Sequence, residues 1–346
     1  MLQHWEINES RPEDSYNFRW TDCIKCFQFG TDHDFANVRI KRCGSKHCIS
    51  VKYNKEFKEN LTKTEYDFNK CGVRKCNSQL RTITKLRSDQ LCRKGECPWL
   101  VKININISTD LNSLCSGAII HPQWILTAAH CLVGSYLKHG ISYIEPSNLS
   151  LSYGGSNSIG ESVEKYIINP NMSLFHTGSP MNDIALIKLR KPINFDEYTN
   201  AACLPSQDME VPYDTLCIVA GWGKTNEMSV TPTKYARKSV NKVINNSDCV
   251  LIPTELKPLP LNKICAQNEE GKSICEGDSG TPLACEGSVI PANDSNVNST
   301  VQAVYKWYIF GVASYGGGRC DETNKQNIFA KVATEVDWIL SMINKF

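Results

Sequence analysis

The 346-residue chain has little net charge, since 38 Lys and Arg residues stand against 36 Asp and Glu residues. Nucleic acids and anionic membranes are bound chiefly through concentrated positive charge, so neither is expected as a main partner. No apolar run approaches the roughly 18 residues of a membrane-spanning helix. The chain also lacks internal repeats, coiled-coil heptads and a phosphate-binding loop, so a repeat architecture and a nucleotide site are not indicated.

Cysteine, by contrast, is abundant. Seventeen cysteines in one chain favour an oxidising compartment and a disulfide framework. Zinc is the alternative, but only Cys23 and Cys26 have knuckle spacing and no matching second pair follows. We therefore expect no metal and no cofactor.

The sequence further predicts a secreted, extracellular glycoprotein. Eight Asn-x-Ser/Thr sequons without proline support this, at Asn8, Asn60, Asn106, Asn148, Asn171, Asn245, Asn293 and Asn298. The opening stretch MLQHWEINESRPEDS is polar and does not match a signal peptide. Either the front of the precursor is absent or the protein is cytosolic, and the cysteines favour the first alternative.

The amino-acid composition of the chain changes near Pro98. Residues 1–80 are polar and carry cysteines at 23, 26, 43, 48, 71 and 76, which predicts a small module held by disulfides. Short apolar stretches broken by Gly, Pro and Asn follow, and they predict an all-β domain over residues 92–346. At the end, Val336, Ile339, Leu340 and Ile343 recur at helical spacing, and Thr334 with Asp337 resembles a helix cap.

Three stretches carry candidate chemistry: LTAAHC with His130, NDIALIKL with Asp183 and CEGDSGTPLAC with Ser279. A serine hydroxyl is a poor nucleophile at neutral pH. It needs a histidine to accept its proton and a buried carboxylate to fix the tautomer of that histidine. Each residue alone has a structural explanation, but the three together, in this order and with these flanks, indicate a serine nucleophile.

From about residue 86 to 346, the chain resembles a chymotrypsin/trypsin-family serine protease. The resemblance rests on ECPW, SGAII, WILTAAHC, NDIAL, ACLP, CIVAGWG, CEGDSG and VASYG. It implies two antiparallel six-stranded β-barrels and a C-terminal helix, with the active site between the barrels. His130 would be the general base, Asp183 its orienting carboxylate and Ser279 the nucleophile, while the N–H groups of Gly277 and Ser279 would form the oxyanion hole.

The same resemblance implies a disulfide pattern. Family pairing by position gives Cys92–Cys97, Cys115–Cys131, Cys217–Cys285, Cys249–Cys265 and Cys275–Cys320. The resemblance makes the cysteine-rich residues 1–80 a pro-region, and Cys203, in AACLP, would then tie the catalytic domain to it. CGVRK makes Cys71 the expected partner, with Cys76 as the alternative.

Substrate preference is expected from the base of a pocket beside the nucleophile. Trypsin-like members place an aspartate six residues before the serine, whereas this chain has Ser273. A neutral base leaves Arg or Lys without a partner, so we expect cleavage after uncharged residues. Gly316 would form the pocket mouth and Asn327 a pocket wall. The alternative is that Asp321 or Glu322 reaches inward.

Residues 81–91 are expected to form an activation segment. In the family, cleavage frees an apolar amino terminus whose ammonium pairs with the aspartate before the nucleophile, here Asp278. Family spacing indicates a cut between Lys85 and Leu86. The sequence then departs from the usual pair of small residues with Arg87, Ser88 and Asp89, and Ser88 and Asp89 lack the backbone freedom of glycine.

We therefore expect a cascade-type zymogen with some similarity to arthropod modular serine proteases. Its partners would be protein substrates, an activating protease and serine protease inhibitors, with no nucleic acid and no membrane. The departure after Leu86 keeps open a protease-like binding protein that fails to mature. Two further departures are Thr281, where the family usually has glycine, and a long sequon-bearing insertion at residues 286–306.

Overall fold

The structure is a computed structural model. The residues that it describes are 39–43, 46–50, 67–74, 90–107, 112–137, 140–154, 161–174, 180–225, 228–229, 231–249, 259–268, 274–289, 304–316 and 326–346. The chain divides into two compact units, Met1–Lys63 and Thr64–Phe346.

The described residues of the first unit form an antiparallel hairpin of β1 (Arg39–Cys43) and β2 (Lys46–Ser50). Its register pairs Arg39 with Ser50 and Cys43 with Lys46. Disulfide stapling of this unit stays a prediction, because Cys23 and Cys26 lie outside the described residues and the side chains of Cys43 and Cys48 are not described.

A closed six-stranded barrel forms the first half of the second unit. The order around the barrel is β10-β13-β6-β5-β4-β9. The strands are β4 (Leu100–Asn106), β5 (Asn112–His121), β6 (Trp124–Thr127), β9 (Leu149–Tyr153), β10 (Glu161–Ile168) and β13 (Ala185–Leu189). Side chains of a strand alternate between its two faces, so β4 buries Val101, Ile103 and Ile105. Each such side chain contributes about 1.5–3 kcal/mol on burial.

Two short hairpins interrupt this barrel sequence. They consist of β7 (Val133–Leu137) with β8 (Gly140–Tyr143), and β11 (Ser173–Leu174) with β12 (Pro180–Met181).

The second barrel follows the order β14-β17-β18-β19-β16-β15, and pairing of β14 with β15 closes it. β3 (Gln90–Leu91) pairs with Arg237 and Lys238 at the start of β15. The strands are β14 (Leu216–Gly221), β15 (Arg237–Val243), β16 (Lys263–Asn268), β17 (Pro282–Val289), β18 (Val304–Gly316) and β19 (Gln326–Lys331). The predicted fold of two six-stranded antiparallel barrels is therefore confirmed.

The predicted C-terminal helix is also confirmed, as α1 (Val336–Lys345). It buries Val336, Ile339 and Ile343. The expected cap is wrong, because Thr334 lies within a preceding 3-10 turn and its hydroxyl donates to the Lys331 carbonyl. The described 3-10 helices are Phe68–Lys70, Ala129–Leu132, Pro146–Asn148, Asn246–Asp248 and Ala333–Glu335.

Residues 67–74 belong to the unit of the barrels. Cys71 forms a disulfide with Cys203, as expected, rather than Cys76. Gly72 donates its N–H to Ala201 and accepts from Trp307, with N···O distances of 2.8 and 3.0 Å. The predicted end of the pro-region at residue 80 stays a prediction, but the compact unit begins earlier, at Thr64.

The remaining disulfides follow the expected pairing. The structure contains Cys92–Cys97, Cys115–Cys131, Cys217–Cys285 and Cys249–Cys265. Cys275 is also disulfide-bonded, while its expected partner Cys320 lies outside the described residues.

Candidate active site

A turn between β12 and β13 positions Asp183. Asn182 has a left-handed backbone, with φ of 47°, a conformation that Asn tolerates better than most residues. Its side chain donates to the Asn171 carbonyl and accepts from the Asn262 amide, with distances of 2.9 and 2.7 Å. These bonds hold the turn, and Asp183 that follows is fully buried.

His130 lies on the 3-10 helix that follows β6. The neighbouring Cys131 is bonded to Cys115 of β5, which ties this helix to the barrel. The His130 backbone N–H donates to Asp183 Oδ1 at 2.9 Å, and the ring Nδ1 lies 2.7 Å from Asp183 Oδ2. This arrangement places the proton on Nδ1 and leaves Nε2 as a proton acceptor.

Ser314 makes a third hydrogen bond to Asp183 that the sequence analysis did not assign. Its hydroxyl donates to Asp183 Oδ2 at 2.6 Å. The register of β18 and β19 shifts between Ala313 and Tyr315, so Ser314 lies in an irregularity of the ladder. The VASYG segment indicated a family match, but nothing in its spacing predicted this contact.

The electrostatics of this pair follow from burial and hydrogen bonding. Burial alone would raise the pKa of Asp183, but His130 and the three hydrogen bonds outweigh it, so the pKa lies below its ordinary value. Burial acts to lower the pKa of His130, whereas the charge and hydrogen bond of Asp183 raise it; the net shift is upward. Asp183 therefore favours the protonated imidazolium.

Ser279 lies on a tight turn that two glycines permit. Gly277 and Gly280 have φ of 96° and 81°, in the left-handed region. A Cβ on Gly280 would lie 2.3 Å from the Ser116 carbonyl and 2.4 Å from Thr127 Oγ1. The turn is thus packed against the strands that lead to His130. Ser279 and His130 share no hydrogen bond among the described residues.

The backbone N–H groups of this turn divide into two sets. Those of Asp278, Gly280 and Thr281 donate to backbone carbonyls at 2.9–3.0 Å. Those of Gly277 and Ser279, the predicted oxyanion donors, have no acceptor within the part of the chain that the structure describes. Two such donors, one on each side of Asp278 in the chain, are suited to an oxyanion.

The Asp278 side chain lies against Gly221 and Gly223. Its carboxylate accepts from the N–H groups of Gly223 and Cys275, at 2.8 and 3.2 Å. Burial raises the pKa of Asp278 to about 6, and these two hydrogen bonds only partly oppose the increase. Within the described ranges no cation pairs with this carboxylate. Lys85 and Leu86, the predicted cleavage residues, lie outside those ranges.

An open pocket of about 200 Å³ lies beside Ser279. Its described lining includes the predicted Gly316, together with Ile274, Cys275, Glu276, Ser279, Ala313, Ser314 and Tyr315. Asn327 is fully buried and its Oδ1 accepts from the Ile274 N–H at 3.0 Å, so it supports the wall from behind. Ser273 lies outside the described residues.

Sequence reasoning missed four residues that line the pocket: Ile274, Glu276, Ser314 and Tyr315. It also missed Lys263, which is buried and interacts with Asp183. Ile274 precedes CEGDSG, Glu276 lies within it, and Ser314 and Tyr315 lie within VASYG, so the motifs gave a signal for the site but not for the contacts of each residue. Lys263 gave none, because a lysine in a strand is normally exposed. Thr281, noted as unusual, is buried and donates its hydroxyl to the Ala220 carbonyl.

No group of three or more His, Cys, Asp or Glu residues among the described residues is placed to hold a metal ion. None of the described helices has the length and apolar character needed to cross a membrane.

Comparison with known proteins identifies the family. A family model described as Trypsin matches residues 87–339, which is most of the chain. The chain therefore belongs to the trypsin family of serine proteases.

One curated relative is human transmembrane protease serine 5, which is 28% identical over 274 residues. The match covers 78% of this chain and 52% of the relative, so the chain spans about half the length of that protein. Among solved structures, human heparin binding protein is similar with a TM-score of 0.55 and 23% identity. That match covers 75% of this chain and 98% of the other, and it supports the fold alone.

Proposed function

We propose that this protein is a serine endopeptidase that cleaves protein substrates through an acyl-enzyme intermediate. The observation that carries the proposal is the hydrogen-bonded set of His130, Asp183 and Ser314, next to a pocket that Ser279 lines. Three hydrogen bonds fix the Asp183 carboxylate, and the carboxylate in turn fixes the tautomer of His130. Such an arrangement supports general-base catalysis.

In the proposed mechanism, Ser279 Oγ attacks the scissile carbonyl and transfers its proton to His130 Nε2. The N–H groups of Gly277 and Ser279 stabilise the oxyanion of the tetrahedral intermediate. His130 then gives the proton to the leaving amine, which leaves an ester on Ser279. Water then attacks the ester as His130 takes its proton, and the bond to Ser279 Oγ breaks as His130 returns that proton to the serine, which releases the acid. The hydrogen bond between Ser279 and His130 would form as substrate binds, since such bonds often tighten only in the complex.

Fluorophosphonate labelling tests this proposal. The probe should label the chain at Ser279 before or after limited trypsin treatment, with labelling lost in S279A and H130A. Peptide mapping by mass spectrometry locates the label. Absence of label after clean cleavage between Lys85 and Leu86 would contradict the enzyme and favour the protease-like binding protein, which the charged sequence after Leu86 also favours.

Activation as a zymogen is the second part of the proposal. Asp278 is a buried carboxylate with two N–H donors and no described cation. A new ammonium at Leu86 would supply the missing charge. Because the folded-state pKa of about 6 lies above the ordinary 3.8, the folded state binds more protons in this window, and the contribution of Asp278 to stability falls as pH rises through it.

The D278N variant separates folding from activation. At pH 7.5 the uncut variant should be at least as stable as wild type in urea denaturation, since it removes a buried charge. After cleavage it should gain no activity, because no carboxylate receives the new terminus. Full activity of cleaved D278N would contradict this activation route.

The proposed preference is for cleavage after uncharged residues. Ser273 supports it from sequence, and the open pocket beside Ser279 has room for a side chain. Profiling with a peptide library should give cleavage after apolar or medium-sized residues. The S273D variant should shift cleavage towards Arg and Lys, whereas S273A should not. Wild-type cleavage confined to Arg and Lys would contradict the proposal.

We also propose a secreted glycoprotein that acts in a proteolytic cascade. The disulfides and the tether from Cys71 to Cys203 support it. Expected partners are an activating protease, selected protein substrates and serine protease inhibitors. Expression in a secreting eukaryotic cell should give glycosidase-sensitive protein in the medium, and broad hydrolysis of casein after activation would argue for a digestive role instead.

A further inference from the structure

Lys263, at the start of β16, is buried beside the proposed catalytic residues. Only 3% of its surface is exposed. Its Nζ donates to the Pro180 carbonyl and lies 5.1 Å from the centre of the Tyr315 ring. A lysine loses its hydration on burial, which is costly unless other groups compensate. Here one carbonyl and one ring face do so.

Both contacts lead to Asp183. Pro180 belongs to β12, three residues before Asp183 on the same turn. Tyr315 follows Ser314, whose hydroxyl donates to Asp183. The ionisable groups that interact with Lys263 among the described residues are Asp183, which attracts its charge, and His130, which its charge repels. Lys263 thus contacts both segments that hold the Asp183–His130 pair.

We propose that Lys263 is a positioning residue for this pair: its ammonium holds the turn that carries Asp183 and disfavours a second positive charge on His130. This inference rests on the proposed function and deepens it. Asp183 stabilises the imidazolium, and Lys263 limits that stabilisation. His130 therefore remains an unprotonated base at a lower pH than Asp183 alone would permit.

The charge of Lys263 itself responds to pH. Burial lowers the pKa of Lys263 to about 8, and attraction to Asp183 only partly offsets this. Below that pH the ammonium repels a proton on His130, and above it the repulsion is lost. An arginine at this position would stay charged throughout, and a methionine would never be charged. The three side chains are similar in length and form a matched series.

The experiment compares wild type with K263R and K263M in two measurements. The first is an NMR titration of the His130 ring in the uncut, full-length chain labelled with nitrogen-15 histidine, which requires no catalytic activity. The H130Q variant assigns the signal. In K263M the His130 titration should move to higher pH, whereas in K263R it should stay at or below that of wild type.

The second measurement is kcat/KM against pH for the cleaved protein. For K263M, kcat/KM at pH 6 relative to its own maximum should fall about two- to fivefold below wild type, as expected for removing a nearby charge at an intermediate effective dielectric. For K263R, the decrease of kcat/KM towards acid pH should match that of wild type. Wild type should show a further inflection near pH 8, absent from both variants.

Several outcomes would overturn the inference. Identical His130 titrations in K263M and K263R would mean that Lys263 only packs and holds the turn. Absence of activity in the cleaved wild type, together with the expected His130 shift in K263M, would instead count against the proposed function while supporting this inference. If K263M does not fold, as judged by near-ultraviolet circular dichroism, K263Q supplies the uncharged side chain, and an unshifted K263Q would refute the proposal.

Discussion

The six strands of the first barrel bury two polar side chains among their described residues, Ser116 and Thr127. The strands of the second barrel bury seven: Lys238, Asn241, Lys263, Asn268, Ser314, Gln326 and Asn327. The two barrels have the same number of strands, so topology does not account for the difference. The difference is explained by the groups to which these polar side chains bond.

Five of the seven bond to segments that are not barrel strands, and one of them is Ser314, which donates to Asp183 in the turn before β13. Asn327 accepts from the Ile274 N–H, and Gln326 donates to the Asp248 carbonyl. Lys263 donates to the Pro180 carbonyl, and Lys238 bonds to Glu96. The first barrel is therefore chiefly an apolar scaffold, whereas the second uses buried polar side chains to hold neighbouring segments, including Ile274 at the pocket and the turn that carries Asp183.

The largest expected effect comes from Asp183, where the two barrels meet. D183N keeps the size of the side chain, but it replaces one accepting carboxylate oxygen with an amide NH₂ group that donates hydrogen bonds. The activity of the cleaved protein should fall by about 10⁴-fold, because His130 would then favour the wrong tautomer. Kinetics on a peptide substrate measure this, and stability within about 1 kcal/mol of wild type would show that the loss is not from unfolding.

Next is the buried pair of Lys238 and Glu96, whose Nζ–Oε2 distance is 2.5 Å. Their side chains are 4% and 7% exposed. K238M leaves a buried carboxylate unpaired and should cost about 3–5 kcal/mol of unfolding free energy. The double variant K238M/E96L should recover most of that loss in urea denaturation. Equal losses in the single and double variants would mean that the pair is not coupled.

The apolar barrel should respond differently. I103A removes a fully buried side chain and should cost about 2–5 kcal/mol, with no partner whose removal restores it. Ile107, just past the end of the same strand, is 46% exposed, so the I107A control should change stability by less than about 0.5 kcal/mol. Similar losses for both variants would contradict the assigned core.

The smallest effect concerns His121, at the end of β5. Burial lowers its pKa to about 4 from 6.5, and its Nδ1 accepts from the Gln123 N–H at 3.1 Å. Between these pH values the unfolded chain binds more protons, so stability falls as pH falls through the window. H121N keeps an acceptor without titrating, and its unfolding free energy should fall less between pH 7 and pH 5. If the unfolding free energies of H121N and wild type fall equally over this range, His121 is not a source of the pH dependence.

The sequence predicted the barrels better than it predicted their interiors. The short apolar stretches, the helical spacing near the end and the family motifs were local signals. They predicted the strands, the helix and the pairing of Cys71 with Cys203. Lys263, Asn327 and Ser314 depend on which distant segments meet: each bonds to a group 53 to 131 residues away in the chain. The local sequence pattern alone does not predict which distant groups these side chains contact. A buried lysine is also unexpected, because lysine side chains are normally exposed.

The bond between Cys71 and Cys203 has a consequence for any cut within residues 75–89. The peptide chain would then be broken, but residues 1–74 would remain covalently attached to the barrels through sulfur. Nicked and intact protein would have nearly the same mass without reductant and would separate into two chains with it. The front segment would thus travel with the protease to wherever it acts, and would leave it only where thiols are available to exchange with that bond.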